Sequence, residues 1–354
     1  MKLLRSLLFA ILLVFALSQL QVFAQPTSLF SDHAPIEIRL KGDIKGLLND
    51  RGNDPQYHSL SLTCKDKDSI LVSLPVKVKA RGHFRKLKAN CTYPPLLINF
   101  EHQKENTLFR EQDKVKLVTP CRDDKYVIRE YLVYKLYNLI TPKSFRVRLV
   151  KFLLDDDQVK SKNNQPLYGM LIEEEEQMAN RNNSTLVEGK LLRPEQTKVE
   201  DFLNMAVFEY MIGNTDWSVQ YFQNVKLIAP DSITLSSTVP YDFDHAGIVG
   251  APYAKPAEAL LLNSTKERRY RGYCMKEIQQ FDKVVAHFNS LKEKIYETYT
   301  SSDLLDEGYK KATTKFLDEF FKTINDPKKL KSEFGYPCQR DGTGNVVIKG
   351  LRKE

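Results

Sequence analysis

Four oxygen-bearing side chains lying close together in the chain define the chemistry open to it. Asp216 lies in Gly213-Asn214-Thr215-Asp216-Trp217, and Asn224 follows in Gln223-Asn224-Val225. Asp242 and Asp244 stand in Pro240-Tyr241-Asp242-Phe243-Asp244-His245. Carboxylates and an amide oxygen are hard donors, suited to Mg²⁺ or Mn²⁺ bound together with a phosphate ligand. Phosphoryl transfer requires one carboxylate to orient the attacking hydroxyl, and metal ligands to neutralise a triphosphate. Asp216 is accordingly the expected catalytic base, with Asp242, Asn224 and Asp244 as expected metal ligands. Each has a plainer role when taken alone, Asp216 as a turn residue and Asp242 as the cap of a following turn. Their order along the chain favours a shared site. Asn214 and His245 are expected to support it, since no second histidine stands at ligand spacing from His245.

These acids meet only if the segments around them fold back on one another. Phe202, Met205, Ala206, Phe208 and Ile212 recur at helical spacing, which predicts a helix over 198–211 leading into the Asp216 loop. Residues 225–228 and the apolar run ending at Pro240 read as short strands. Their pairing would bring Asp216, Asn224 and Asp242 together. Upstream, strand-like runs occur at 36–40, 60–63, 70–74, 75–80, 96–100, 115–118, 145–154 and 167–172. A twisted antiparallel sheet is their natural assembly. One amphipathic helix is expected over 123–139, capped by Asp123 or Asp124 and ended by Pro142. Helical spacing returns over 275–298 and 302–324, the second with Ser301 or Asp303 as cap. The sequence contains no internal repeat.

Taken in order, these blocks resemble the CotH kinase family, atypical secreted kinases of the spore coat. The resemblance is carried by Gly213-Asn214-Thr215-Asp216, Asn224 and Pro240-Tyr241-Asp242-Phe243-Asp244-His245. Ala80-Arg81-Gly82, Ile128-Arg129-Glu130-Tyr131-Leu132 and Leu167-Tyr168-Gly169-Met170-Leu171-Ile172-Glu173 add to it upstream. It covers roughly residues 75–255. The resemblance implies an α+β, bilobal atypical protein-kinase-like fold, with a strand-rich N-terminal lobe and a mainly helical C-terminal lobe. The boundaries that go with it are a linker at 25–35, the first lobe at 36–175, the second at 176–325 and a basic tail at 326–354. Also implied are ATP with Mg²⁺ or Mn²⁺, and a protein serine or threonine as acceptor. Glu130 becomes the helix glutamate that meets a nucleotide lysine, for which Lys86, Lys88 and Lys116 are alternatives. Arg81 and Glu173 complete the nucleotide-binding set, Glu173 where the lobes join. The chain departs from the family after its catalytic aspartate. Gln223-Asn224 follows a longer insert, residues 217–222, and one asparagine stands where relatives have a pair. No glycine-rich phosphate loop of the ordinary kinase type is present.

Composition narrows compartment and partners. Of the 354 residues, 42% are hydrophobic and 28% charged, enough apolar material for a sizeable core. Net charge is +8, but basic and acidic residues interleave without a long basic stripe, which disfavours nucleic acid. Lys2 and Arg5 precede an apolar run at 7–17, and Val22-Phe23-Ala24 offers small residues for cleavage. Residues 1–24 therefore read as a secretory signal peptide. Ser18-Gln19-Leu20-Gln21 interrupts the run before membrane-spanning length, and no other stretch could span a bilayer. Export to a periplasmic or extracellular location is expected. Of Cys64, Cys91, Cys121, Cys274 and Cys338, some should then pair, with Cys64–Cys91 as one candidate. Two other functional classes stand beside the kinase. One is a non-catalytic kinase-like envelope or coat interaction protein, favoured by the scarcity of ATP outside a cytoplasm. The other is a metal-dependent phosphate-ester hydrolase, which usually needs more histidine ligands than His245.

Overall fold

A computed structural model describes residues 28–66, 69–101, 107–158, 165–188, 192–257, 260–275 and 277–335. The expected signal peptide, Cys338 and the end of the basic tail lie outside them. In the strand-rich half, β1 (Ile36–Gly42), β2 (His58–Lys65) and β3 (Leu71–Ala80) bury alternate side chains, the period-two pattern of a strand with one face in a core. β4 (Leu96–Phe100), β5 (Lys114–Val118), β6 (Val147–Asp156) and β7 (Leu167–Ile172) follow. The strands pair in the order β1-β2-β3-β4-β5-β7-β6, and β6 returns to lie parallel to β1 with Ile38 beside Phe152. The expected antiparallel sheet is thus a closed seven-stranded barrel. Closure removes the edges that an open sheet exposes and encloses Leu40, Leu62, Val78, Ile98 and Leu117. The runs at 70–74 and 75–80 are one strand. Pro75 is tolerated because β4 pairs with β3 only from Val76 onward, so no ladder bond is lost on that side.

Residues 28–35, expected to be linker, are fastened to the barrel. Leu29 and Phe30 are buried. The Arg148 guanidinium donates to the carbonyls of Leu29, Asp32 and Ala34 and to the Asp32 carboxylate. The expected Cys64–Cys91 pairing also fails, because Cys64 sits on β2 inside the barrel. Cys91 instead bonds Cys121, with Cα atoms 4.4 Å apart, where the Thr92 N–H donates to the Cys121 carbonyl. Cys274 is disulfide-bonded as well.

Past β1, α1 (Ile44–Asn49) is a short turn of helix, and α2 (Asp124–Ile140) follows β5. Asp123 caps α2 by accepting the Lys125 N–H. α2 belongs to a second core, where Tyr137 packs on Phe208 and Tyr134 on Phe243. That core is completed by α3 (Glu175–Arg181), β8 (Thr185–Leu186), α4 (Val199–Ile212), β9 (Val225–Ala229) and β10 (Ser237–Pro240). After these come α5 (Asp282–Ser290), α6 (Lys292–Thr300), α7 (Glu307–Ile324) and α8 (Pro327–Phe334). The helix expected over 275–298 is divided at Leu291 into α5 and α6. α7 starts later than expected because Asp306, rather than Ser301 or Asp303, accepts the Tyr309 N–H and caps it. Part of the basic tail is α8, whose Phe334 packs against Tyr210 and Tyr270. The protein is therefore mixed α+β, a barrel joined to a helical body. Among the described residues no helix is long and apolar enough to cross a membrane.

Candidate functional site

α4 ends at Gly213, which has φ 70°. A Cβ there would stand 2.9 Å from the Thr265 carbonyl oxygen, so glycine lets the chain leave the helix at this point. Asn214 closes the next turn, its Oδ1 accepting the Asp216 N–H at 3.0 Å. β9 and β10 pair with Val225 opposite Pro240, and the Tyr241 N–H donates to the Asn224 carbonyl at 3.0 Å. That ladder sets Asn224 and Asp242 side by side at the strand ends. Both have positive φ, 51° and 63°, a region Asn and Asp tolerate better than most L residues. Phe222 shares it at 51°. Strained backbone gathered in one place is a mark of functional sites. α2 reaches the same point, where Tyr134 Oη accepts the Asp242 N–H at 2.8 Å.

Asp216, Asn224, Asp242, Asp244 and His245 line one cavity of about 470 Å³. Asn224 Nδ2 donates to the Asp216 backbone oxygen at 2.6 Å and to its Oδ2 at 3.1 Å, and Gln223 Nε2 to its Oδ1 at 2.5 Å. Two amides thus orient the Asp216 carboxylate, and among the described residues no hydrogen bond is made to the Asn224 amide oxygen. Asp242 is ringed by protein yet open to the water of the cavity. Its carboxyl is pushed up to about 6, by burial first and then by the Asp244 charge, against the pull of Arg85 and Arg81. Asp244 is itself engaged, with Arg85 Nη1 at 3.7 Å and Tyr253 Oη donating at 3.0 Å. His245 packs its ring against Phe84 and Tyr253. Among the described residues no three His, Cys, Asp or Glu side chains converge as a metal-ligand group. A cation would draw on Asp242 and Asn224. The crowded negative charge at Asp242 fits one, since Mg²⁺ is commonly held by one or two protein oxygens with phosphate and water completing the shell.

The expected nucleotide-binding residues are divided. Arg81 and Lys116 line the cavity, whereas Lys86, Lys88, Glu130 and Glu173 do not. Lys86 Nζ donates to the Gly52 carbonyl at 2.6 Å, and Lys88 Nζ to Asn49 Oδ1 at 2.7 Å, both turned toward α1 and the chain beyond it. Neither they nor Lys116 pairs with Glu130. Its partner is the buried Arg85, whose Nη1 lies 3.5 Å from Glu130 Oε2 and whose Nη2 donates to the Thr119 carbonyl. Burial, then the Asp244 charge, push the Glu130 carboxyl well above the ordinary range, and Arg85 opposes this. Lys116 Nζ lies 3.9 Å from Glu174 and 4.0 Å from Glu175, and Lys226 Nζ is 2.5 Å from Glu175. Glu173 is buried and serves structure: it accepts the Arg146 N–H and the Arg181 guanidinium, tying α3 to the start of β6.

Arg85, Lys226, Glu175 and Tyr134 were not singled out from the sequence. Two of them left a signal there. Lys226 is two residues beyond Asn224, on the same strand face, and Tyr134 is one helical turn beyond Glu130. Nothing in residue type separates Arg85 from its neighbour Lys86. Val118, Phe145, Ile172 and Tyr241 add an apolar lining, with the Phe145 and Tyr241 rings 5.8 Å apart. The cavity therefore joins a surface for a flat apolar group to a charged region able to hold a polyanion beside an oriented carboxylate. No protein-family model matches the chain, and no curated protein matches it.

Proposed function

We propose that this chain is an exported, CotH-like atypical kinase that transfers a phosphoryl group from ATP to a protein serine or threonine hydroxyl, using Mg²⁺ or Mn²⁺. In this reading the barrel and the helical body serve as the two lobes of a kinase-like arrangement. The observation that carries it is the cavity itself. Asp216, Asn224 and Asp242, from three separate segments, share it with Arg81, Arg85, Lys116 and Lys226. The apolar lining suits a nucleobase, and the four cations suit a triphosphate. A divalent cation on Asp242 and Asn224 would supply charge neutralisation at the phosphates. Asp216 takes the proton of the attacking hydroxyl as its oxygen bonds to the γ-phosphorus. The bond from that phosphorus to the β–γ bridging oxygen breaks, and ADP leaves. Gln223 and Asn224 hold the Asp216 carboxylate in orientation for this step. The acceptor class is what the resemblance to the CotH kinase family implies.

Melting curves with and without ATP and Mg²⁺, on wild type and Asp242→Ala, test the reading. A ligand that binds the folded state alone adds about 2.7 kcal/mol at a hundredfold excess over Kd. The expected result is a metal-dependent shift in wild type that disappears in Asp242→Ala. No shift at millimolar ATP with Mg²⁺ would sink the kinase and leave the non-catalytic interaction protein.

A further inference from the structure

Outside the cavity, the outer face of β3, β4 and β5 carries a block of like charge. Val76, Val78, Ile98 and Leu117 belong to the barrel core, and the residues that alternate with them point outward. Strand pairing sets those residues in two rows. Lys77 stands opposite Asn99 and Asn99 opposite Lys114, then Lys79 opposite Leu97 and Leu97 opposite Lys116. Four lysines thus form two columns, on β3 and β5, with β4 as the floor between them. With strands about 4.8 Å apart, the columns stand about 10 Å apart, and lysines within a column about 7 Å. Sheets are stabilised by opposite charges on facing strands, and the outer face of β1 and β6 follows that rule. There Arg39 lies 3.6 Å from Asp155, and Lys41 3.8 Å from Asp157. On β4, by contrast, an amide and a leucine face the lysines.

Little within the protein offsets this charge. Lys77 Nζ lies 2.6 Å from Glu101, but the two side chains are 43% and 42% exposed, and a pair so open to water contributes little. Lys116 meets Glu174 and Glu175 at the cavity end. Lys79 Nζ stands 4.7 Å from the Tyr57 ring centroid, and no acid faces Lys114 across β4. The face leads into the cavity, which is lined by Lys116 and by Arg81, two residues beyond Lys79. Its spacing selects a partner. In an extended peptide successive side chains point to opposite sides, and alternate ones repeat about every 6.7 Å. Such a peptide laid along β4 turns one side chain to the β3 column and the next to the β5 column. We propose that this face docks a run of about four consecutive acidic residues, in extended form, from a protein partner. Charge complementarity of this kind governs encounter and specificity. The inference goes beyond the kinase reading and does not depend on it, since neither Lys79 nor Lys114 lines the cavity.

The test uses the full chain without nucleotide, so its failure is separable from failure of the kinase reading. The probe is a fluorescein-labelled peptide with four consecutive glutamates in a glycine–serine frame, followed by fluorescence anisotropy at low salt. It should bind, and added salt should weaken it. A second peptide carries the same four glutamates separated by glycines. It should bind several-fold more weakly, because its carboxylates no longer match the lysine spacing. Lys79→Glu combined with Lys114→Glu should weaken binding of the first peptide about tenfold or more. Lys328→Glu combined with Lys329→Glu, at exposed positions on α8, changes net charge equally and should leave binding within about twofold. Equal losses in the two double variants would reduce the effect to net charge and overturn the proposal. Equal binding of the two peptides to wild type overturns it as well, a result that requires no variant to fold. Absence of peptide binding at low salt is equally fatal, and binding of phosphatidylglycerol vesicles in its place would assign the face to a membrane.

Discussion

The barrel side of the cavity contributes Arg81, Arg85 and Lys116, whereas the opposite side contributes Asp216, Asp242 and Asp244. The acids are placed mainly by backbone. Gly213 ends α4, the β9–β10 ladder aligns the strand ends, and the left-handed Asn224 and Asp242 turn the chain beside them. The cations are placed by other side chains and carbonyls: Arg85 by Glu130, Asp244 and Thr119, and Lys116 by Glu174 and Glu175. The turn that carries Arg81 and Arg85 is fastened by the Cys91–Cys121 bond. Arg51 adds to this by donating to the Cys91 and Thr92 carbonyls at 2.8 and 2.5 Å. The contrast teaches how such a cavity can admit an anion. A cation held by carboxylates can exchange one of them for a phosphate, while acids held by backbone keep their geometry through the exchange.

Removing Asp216, the proposed base, should break the acidic side most completely. Asp216→Ala is expected to lower turnover by roughly 10²–10⁴-fold, the usual contribution of a positioned base, while the melting shift with ATP and Mg²⁺ persists. Equal turnover in wild type and variant would take Asp216 out of the mechanism. On the barrel side the largest effect should come from Arg85→Met, which leaves Glu130 and Asp244 without their counter-charge. Denaturant unfolding should show a loss of about 3–5 kcal/mol, partly recovered when Glu130→Leu is added. A loss below about 1 kcal/mol would mean that this pairing does not hold the wall.

A smaller effect sharpens the contrast through pH. Folding pushes the Asp242 carboxyl up from an ordinary 3.8 to about 6. Between those values the folded state binds more protons, so raising the pH lowers stability. Ordinary ion-paired carboxylates have the opposite slope. Because Asp242 is open to cavity water, its share is discounted to about 1 kcal/mol. Without added metal, that slope should appear in wild type and flatten in Asp242→Asn, and identical profiles would remove the effect. The smallest change is expected where the cations avoid the cavity. Lys86→Ala combined with Lys88→Ala should leave the nucleotide shift within about 0.5 kcal/mol of wild type, and a larger loss would return these lysines to the site.

Most element types were legible from residue order, because helical and strand periods are local properties of a short run. β4 and β7 fall at the expected residues, and α2 is capped by Asp123, one of the two expected candidates. The gathering of Asp216, Asn224 and Asp242 was legible too, since a helix, a short strand and its neighbour leave little freedom between them. Pairings between distant residues were not. Whether β6 closes on β1, whether Cys91 meets Cys64 or Cys121, and whether Glu130 meets Lys116 or Arg85 all have similar local merit. Packing settles them: closing the barrel buries Cys64 inside it, brings the Cys91 and Cys121 turns together and sets Arg85 over α2. Residue type and spacing record what a segment prefers. Which charges face each other depends on how the segments fill space around a shared core.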